Sequence, residues 1–182
     1  MSLLVIRRED SISVDDVPDL PFAIDAWRVW RLVAVDGRSR LSSFFKWAIW
    51  QPGEPLEARC LSTPSLLDRL RRRPDHDAPT MRCACGIYGA DLSFLDTRLS
   101  WTDGWQELVV GEVWLWGTVV ECEHGYRASL AYPRRIYVPI DGSASRAERL
   151  VAELSDYCVP VETLPVRSEE AAAELRRRAT AA

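Results

Sequence analysis

The chain has 182 residues, of which 47% are hydrophobic and 27% charged, and its formal net charge is −4. That length supports a sizeable buried core, and the composition is that of a folded globular chain. The acidic balance argues against a nonspecific nucleic-acid binder, which carries basic surface, and no apolar run approaches the roughly 20 residues of a membrane span.

The opening MSLLVIRRED has a short apolar run and no signal-peptide pattern, so the expected location is cytoplasmic. The basic residues are almost all arginine, with Lys46 the lone lysine, a composition typical of a GC-rich genome. Five cysteines without an export signal read as core thiols, metal ligands or reactive groups rather than disulfide staples.

In chain order, residues 27–35 (WRVWRLVAV) and 41–50 (LSSFFKWAIW) read as strands, joined by a hairpin that begins at Asp36-Gly37. Residues 57–61 form a further short strand leading to Cys60. Thr63-Pro64 has the form of a helix start, giving a short helix over 65–73. Residues 81–89 carry the two closely spaced cysteines followed by the apolar Ile87 and Tyr88, and Asp91 caps a helix over 92–99.

The longest β-type stretch is 109–133, VVGEVWLWGTVVECEHGYRASLAYP. Both faces of its first half are apolar, so it should be covered on both sides, and Gly111 and Gly117 fall where bulges fit. Glu123-His124-Gly125 forms its hairpin loop, and Pro133 should stop the returning strand. After a last β segment at 135–139, Ala147, Leu150, Val151, Leu154 and Cys158 recur at helical spacing, which predicts a helix over 146–157 with Cys158 as a core thiol. Ser168 caps a final helix whose apolar face is thin, so it should dock weakly.

Runs of strands followed by helices imply an α+β fold. The expected sheet is largely antiparallel and curved or barrel-like, with a few short helices and a C-terminal helix. Residues 1–160 form one α+β domain and 161–182 a helical tail.

The sharpest chemical feature is Cys60, His76, Cys83 and Cys85. Zinc takes thiolate and imidazole ligands, four of them in a closed structural site, and these residues supply such a set. On a straight strand, Cys83 and Cys85 would point the same way about 7 Å apart. Cys122 and His124, beside the hairpin turn, are the alternative fourth ligands after His76. The competing reading makes the cysteines small hydrophobes of the core and His76 a solvated loop residue.

A second cluster, Glu112, Glu121, His124 and Arg127, has the residue types for general acid–base work. Ordinary cross-strand ion pairing explains the same residues. Trp101 and Trp105, in a loop containing Gly and Asp, are candidates for an exposed binding surface.

The motifs Ala58-Arg59-Cys60, His76-x-Ala78-Pro79, Cys83-x-Cys85-Gly86-Ile87-Tyr88, Gly111-Glu112-Val113-x-Leu115-Trp116-Gly117, Gly125-Tyr126-Arg127-Ala128 and Ala131-Tyr132-Pro133 fall in that order. Over residues 27–139 this pattern resembles an uncharacterised protein family of actinobacteria and other GC-rich bacteria, to which no activity is attached. The resemblance implies that the cysteines, His76 and the hairpin belong to one unit.

Three functions fit these residues. The first is a zinc-stabilised binding or regulatory module for a protein partner or small ligand. The second is a small enzyme with an acid–base pocket beside the 121–127 hairpin. The third is a nucleic-acid binder using arginines with Trp101 and Trp105.

Overall fold

The computed structural model describes residues 5–6, 23–44, 48–60, 76–81, 83–99, 108–140, 142–167 and 170–181. The predicted helix over 65–73 and the tryptophans Trp101 and Trp105 lie outside the described residues.

Strand β1 is Val5–Ile6, and β2, Ile24–Val35, turns into β3, Arg38–Ser42. The turn has two residues, Asp36 and Gly37, both at positive φ (50° and 75°), between the paired Val35 and Arg38. That conformation matches the twist of the flanking strands. Beyond Ser42 the described residues 43–44 and 48–50 belong to no strand, apart from an isolated bridge between Ser42 and Ile49, and residues 45–47 lie outside the described residues. Of the strand expected over 41–50, Leu41 and Ser42 are in β3 and the described residues 43–44 and 48–50 are not.

Strands β4 (Leu56–Glu57) and β5 (Ile87–Ala90) are brief, and helix α1 follows as Leu92–Leu99. The dominant pair is β6, Leu108–Cys122, and β7, Gly125–Pro139, joined by the two-residue loop Glu123-His124. Register shifts fall between Glu112 and Val113 and between Trp116 and Val119, beside the two glycines that interrupt β6.

Pro133 does not stop β7. Val113 pairs with Pro133 while Glu112 pairs with Arg135, so the proline sits beside a bulge, where a missing N–H is tolerated.

Helix α2 is Ala144–Leu154, capped by Ser143, whose hydroxyl accepts from the Arg146 N–H at 3.2 Å. It runs into a 3-10 turn, Ser155–Tyr157, closed by Cys158 in the left-handed conformation at φ 55°. Cys158 is exposed, which corrects the expectation of a core thiol. The tightened last turn rotates it off the buried face carrying Ala147, Leu150 and Leu154. Strand β8, Val161–Leu164, pairs parallel with β7, and helix α3, Ala171–Ala181, completes the described chain.

Among the described residues the result is an α+β fold on one eight-stranded sheet, antiparallel except for β7–β8. Pairings β6–β2, β2–β5, β5–β7 and β7–β6 return to their starting strand, which makes the sheet barrel-like. The β2–β5 seam rests on one register pair, Trp27 with Ala90, so it is not a clean barrel.

Two apolar clusters occupy the two sides. The larger gathers Trp30, Trp50, Val113, Leu115, Tyr132, Ile136, Leu150 and Leu154, and Trp30 meets Trp50 edge-on at 5.5 Å. The smaller joins Leu108 and Val110 of β6 to Leu95 of α1 and to Ala171, Ala172 and Leu175 of α3. Strand β6 is thus covered on both faces at its start, whereas in its middle Glu112 and Trp114 on the second face are only half-buried. The C-terminal helix is docked rather than loosely attached: it packs against α1, with Ala171 and Ala172 fully buried and Leu175 only 2% exposed.

Tyr157 locks the loop after β3 to the end of α2. Its hydroxyl donates to the Trp50 carbonyl at 2.6 Å and accepts from the Leu41 N–H at 3.0 Å. Tyr132 donates to the Tyr157 carbonyl at 3.0 Å and accepts from the Gly53 N–H at 2.7 Å. Burial pushes the Tyr157 phenol up to about 12.

Candidate metal centre

One edge of β7 is taken by β6. Along the other lie β5, opposite Gly125–Ala128, then β4, opposite Leu130 and Ala131, and then β8. The centre forms where β4 and β5 meet. After Glu57, the Ala58 N–H donates to the Ser129 carbonyl at 2.7 Å and carries the chain along β7 to Cys60. From the other side, the loop 83–86 feeds directly into β5 at Ile87.

The sulfurs of Cys60, Cys83 and Cys85 and a ring nitrogen of His76 all lie within 4.8 Å of one another. Cys60 Sγ stands 3.7 Å from Cys83 Sγ, and His76 Nε2 stands 3.4 Å from Cys85 Sγ. A tetrahedral ion with metal–sulfur bonds of ~2.3 Å sets its thiolates ~3.8 Å apart. These two separations are close to opposite edges of such a tetrahedron, so this group can hold a metal ion. Four protein ligands leave no open position, which is the pattern of a structural site rather than a catalytic one.

The loop carrying Cys83 and Cys85 is irregular, not a strand. The Cys83 N–H turns back onto the Thr80 carbonyl at 3.3 Å, which brings both sulfurs to one point instead of spacing them along a strand. Gly86 ends the loop at φ +116°. A Cβ there would stand 2.9 Å from the Pro79 Cβ and 3.1 Å from the Arg127 Cβ, so only glycine lets the loop lie flat on β7.

Burial separates the ligands. Cys85 is 1% exposed while Cys60, His76 and Cys83 are half-buried. Burial pushes the Cys85 thiol up, and the neighbouring Cys83 and Cys60 sulfurs add to it in the same direction. Three thiols crowded this way ionise together only with positive charge among them.

Cys122 and His124, the alternative ligands, lie outside the group. Cys122 Sγ accepts from Arg127 Nε at 3.3 Å, and the His124 ring stacks on Phe94 at 4.5 Å. His76 is the fourth member.

The proposed acid–base residues are dispersed. Glu112 takes part in a cross-strand ion cluster with Arg134 (3.3 Å), which also holds Asp25 at 2.6 Å. Glu121, opposite Tyr126, is nine residues further along β6, roughly 30 Å by the strand repeat. His124 is at the hairpin tip, 3.8 Å from the exposed Glu123. Arg127 is buried beneath the cysteine loop, 8% exposed.

No family model matches the chain, and neither a curated protein nor a solved structure is significantly similar to it.

The cysteine loop also shapes its surroundings. Ala84 and Gly86 form part of the wall of a cleft of about 1160 Å³, shared with Trp27, Phe44, Phe94 and Tyr126. Arg28 lies in the same wall, over the Trp50 ring at 5.1 Å, and donates to the Tyr88 carbonyl and, at 3.0 Å, to Ser43 Oγ. Loss of water around its guanidinium lowers it to about 10, so it stays cationic at neutral pH. Sequence reasoning did not single out Arg28 or this cleft, because residues from five separate segments build it. Among the described residues, no helix is long and apolar enough to cross a membrane.

Proposed function

We propose that the chain is a cytoplasmic, zinc-stabilised binding or regulatory module in which Cys60, His76, Cys83 and Cys85 hold one zinc ion in a closed site. The carrying observation is the convergence of four ligand atoms of zinc-binding type within 4.8 Å, from three separate stretches of chain. Zinc suits three thiolates and an imidazole, whereas harder divalent ions prefer oxygen. The ion ties the chain leaving β4 to the chain entering β5 and fixes the wall formed by Ala84 and Gly86. Binding in the adjacent cleft then depends on a correctly held loop.

Chelation and substitution test this. Removing zinc with a strong chelator, or making Cys83→Ser or Cys85→Ser, should lower the urea midpoint and broaden the unfolding transition, because binding to a structural site contributes to folding. Coincident unfolding curves with and without chelator, for protein shown to have contained zinc, would reject the structural role.

A further inference from the structure

Arg127 is buried, and among the described residues no carboxylate pairs with it. Its Nη1 donates to the Thr80 carbonyl at 3.3 Å, to the Cys85 carbonyl at 3.0 Å and to the Cys83 carbonyl. Its Nε donates to Cys122 Sγ at 3.3 Å, and its guanidinium lies 5.9 Å from the centre of the Tyr88 ring. These partners supply partial charges and a ring face but no formal negative charge. A buried cation without a counter-charge is costly, so such arginines are normally paired.

The counter-charge lies on the other side of the loop that Arg127 grips. A divalent ion bound by three thiolates and a neutral imidazole carries one net negative charge, and one guanidinium cancels it. A monovalent ion in the same ligands would leave negative charge in excess, and a trivalent ion positive charge. We infer that Arg127 is the charge-compensating positioning residue of a divalent metal centre: it clamps the carbonyls around Cys83 and Cys85 and neutralises the thiolate-bound ion. This inference rests on the zinc reading above.

Its reach follows from the fold. Arg127 pairs in register with Tyr88 on β5 and with Val120 on β6, so the closed circuit of strands fixes its base. Gly86 lets the loop approach its Cβ closely, which holds the guanidinium under the Cys83 and Cys85 carbonyls. Cys122 is then a hydrogen-bond acceptor for the arginine and not a ligand.

The test compares full-length wild type with Arg127→Lys and Arg127→Gln. Zinc affinity is read by competition with a chromophoric chelator, and coordination by the visible spectrum of the cobalt(II) form. Lysine keeps the charge but not the fork; glutamine keeps a carbonyl-binding amide but not the charge. Charge compensation predicts that R127Q loses about 10–100-fold in zinc affinity, the range for outer partners of metal ligands, while R127K stays within about threefold of wild type. Cobalt bound by wild type and R127K should show tetrahedral d–d bands with sulfur-to-metal charge transfer.

R127Q binding as tightly as wild type overturns the inference, and so does R127K binding as weakly as R127Q. Should R127Q fail to fold, the comparison of R127K with wild type decides, a tenfold or greater loss counting against charge compensation. Wild-type protein that binds neither zinc nor cobalt overturns the metal reading itself, which is a separate outcome.

Discussion

Replacing Gly86 by alanine measures how closely the cysteine loop is packed onto the sheet. At φ +116° an L-residue is strained, which costs about 1–3 kcal/mol. The added methyl would also stand 2.9 Å from the Pro79 Cβ and 3.1 Å from the Arg127 Cβ, atoms fixed to backbone that cannot swing away. Overpacking of this kind costs about 1–3 kcal/mol more. Gly142→Ala is the matched control, since Gly142 also has positive φ, +101°, but no atom within 4 Å of its built Cβ. It should show the backbone part alone. In urea, followed by tryptophan fluorescence at saturating zinc, a slope of about 2–3 kcal/mol per molar places the Gly86→Ala midpoint about 0.3–1.5 M below that of Gly142→Ala. Coincident midpoints for the two variants would refute the close packing of the loop on β7.

Tyr157→Phe leaves the Leu41 N–H and the Trp50 carbonyl without their buried partner and should cost about 1–3 kcal/mol in urea unfolding; a change under about 0.5 kcal/mol contradicts the network. Because the folded phenol is raised from 10 to about 12, its contribution is fully present below pH 10 and is lost as pH rises through about 12. The stability gap between wild type and Tyr157→Phe should therefore shrink over that interval, and a gap that widens contradicts the sign. Cys122→Ser and His124→Ala should retain the metal content of wild type by elemental analysis, since neither residue belongs to the convergent group; metal loss from either shows the ligand set is wrong. Leu175→Ala removes a side chain only 2% exposed beneath the C-terminal helix and should cost about 2–4 kcal/mol, with faster amide exchange across α1 and α3. Unchanged exchange there would show that the helix is not held by that contact.

Much of the fold was legible because local chemistry and global pairing agree. Asp36-Gly37 and Glu123-His124 sit at the two tight turns the sequence marks, and β6 is buried on one face along its length and on the other at its start. The failures have local causes. Pro133 reads as a strand stop, yet a bulge tolerates it, and bulge position depends on the partner strand. Strand β8 is four residues of mixed polarity, paired to β7 from outside any hairpin, so no periodicity marks it. The final helix buries alanines, which an amphipathic pattern weighs lightly.

For the site, residue type was readable and geometry was not. Cys60, His76, Cys83 and Cys85 stand out as ligand chemistry, and the structure brings those four together. Their convergence depends on the irregular loop before Ile87 and on β4 and β5 meeting along one edge of β7, which single-strand spacing cannot show. Arg127 looked like half of a surface pair because its sequence neighbours are those of an exposed hairpin. Its burial is set by the cysteine loop, 40 and more residues earlier, that lies over it.

The most direct test of the account is the metal content of full-length protein purified without chelator, by inductively coupled plasma mass spectrometry alongside protein quantitation. The convergent ligand set predicts about one zinc per chain. Fully folded protein that contains no metal, and gains no stability when zinc is added, would contradict it.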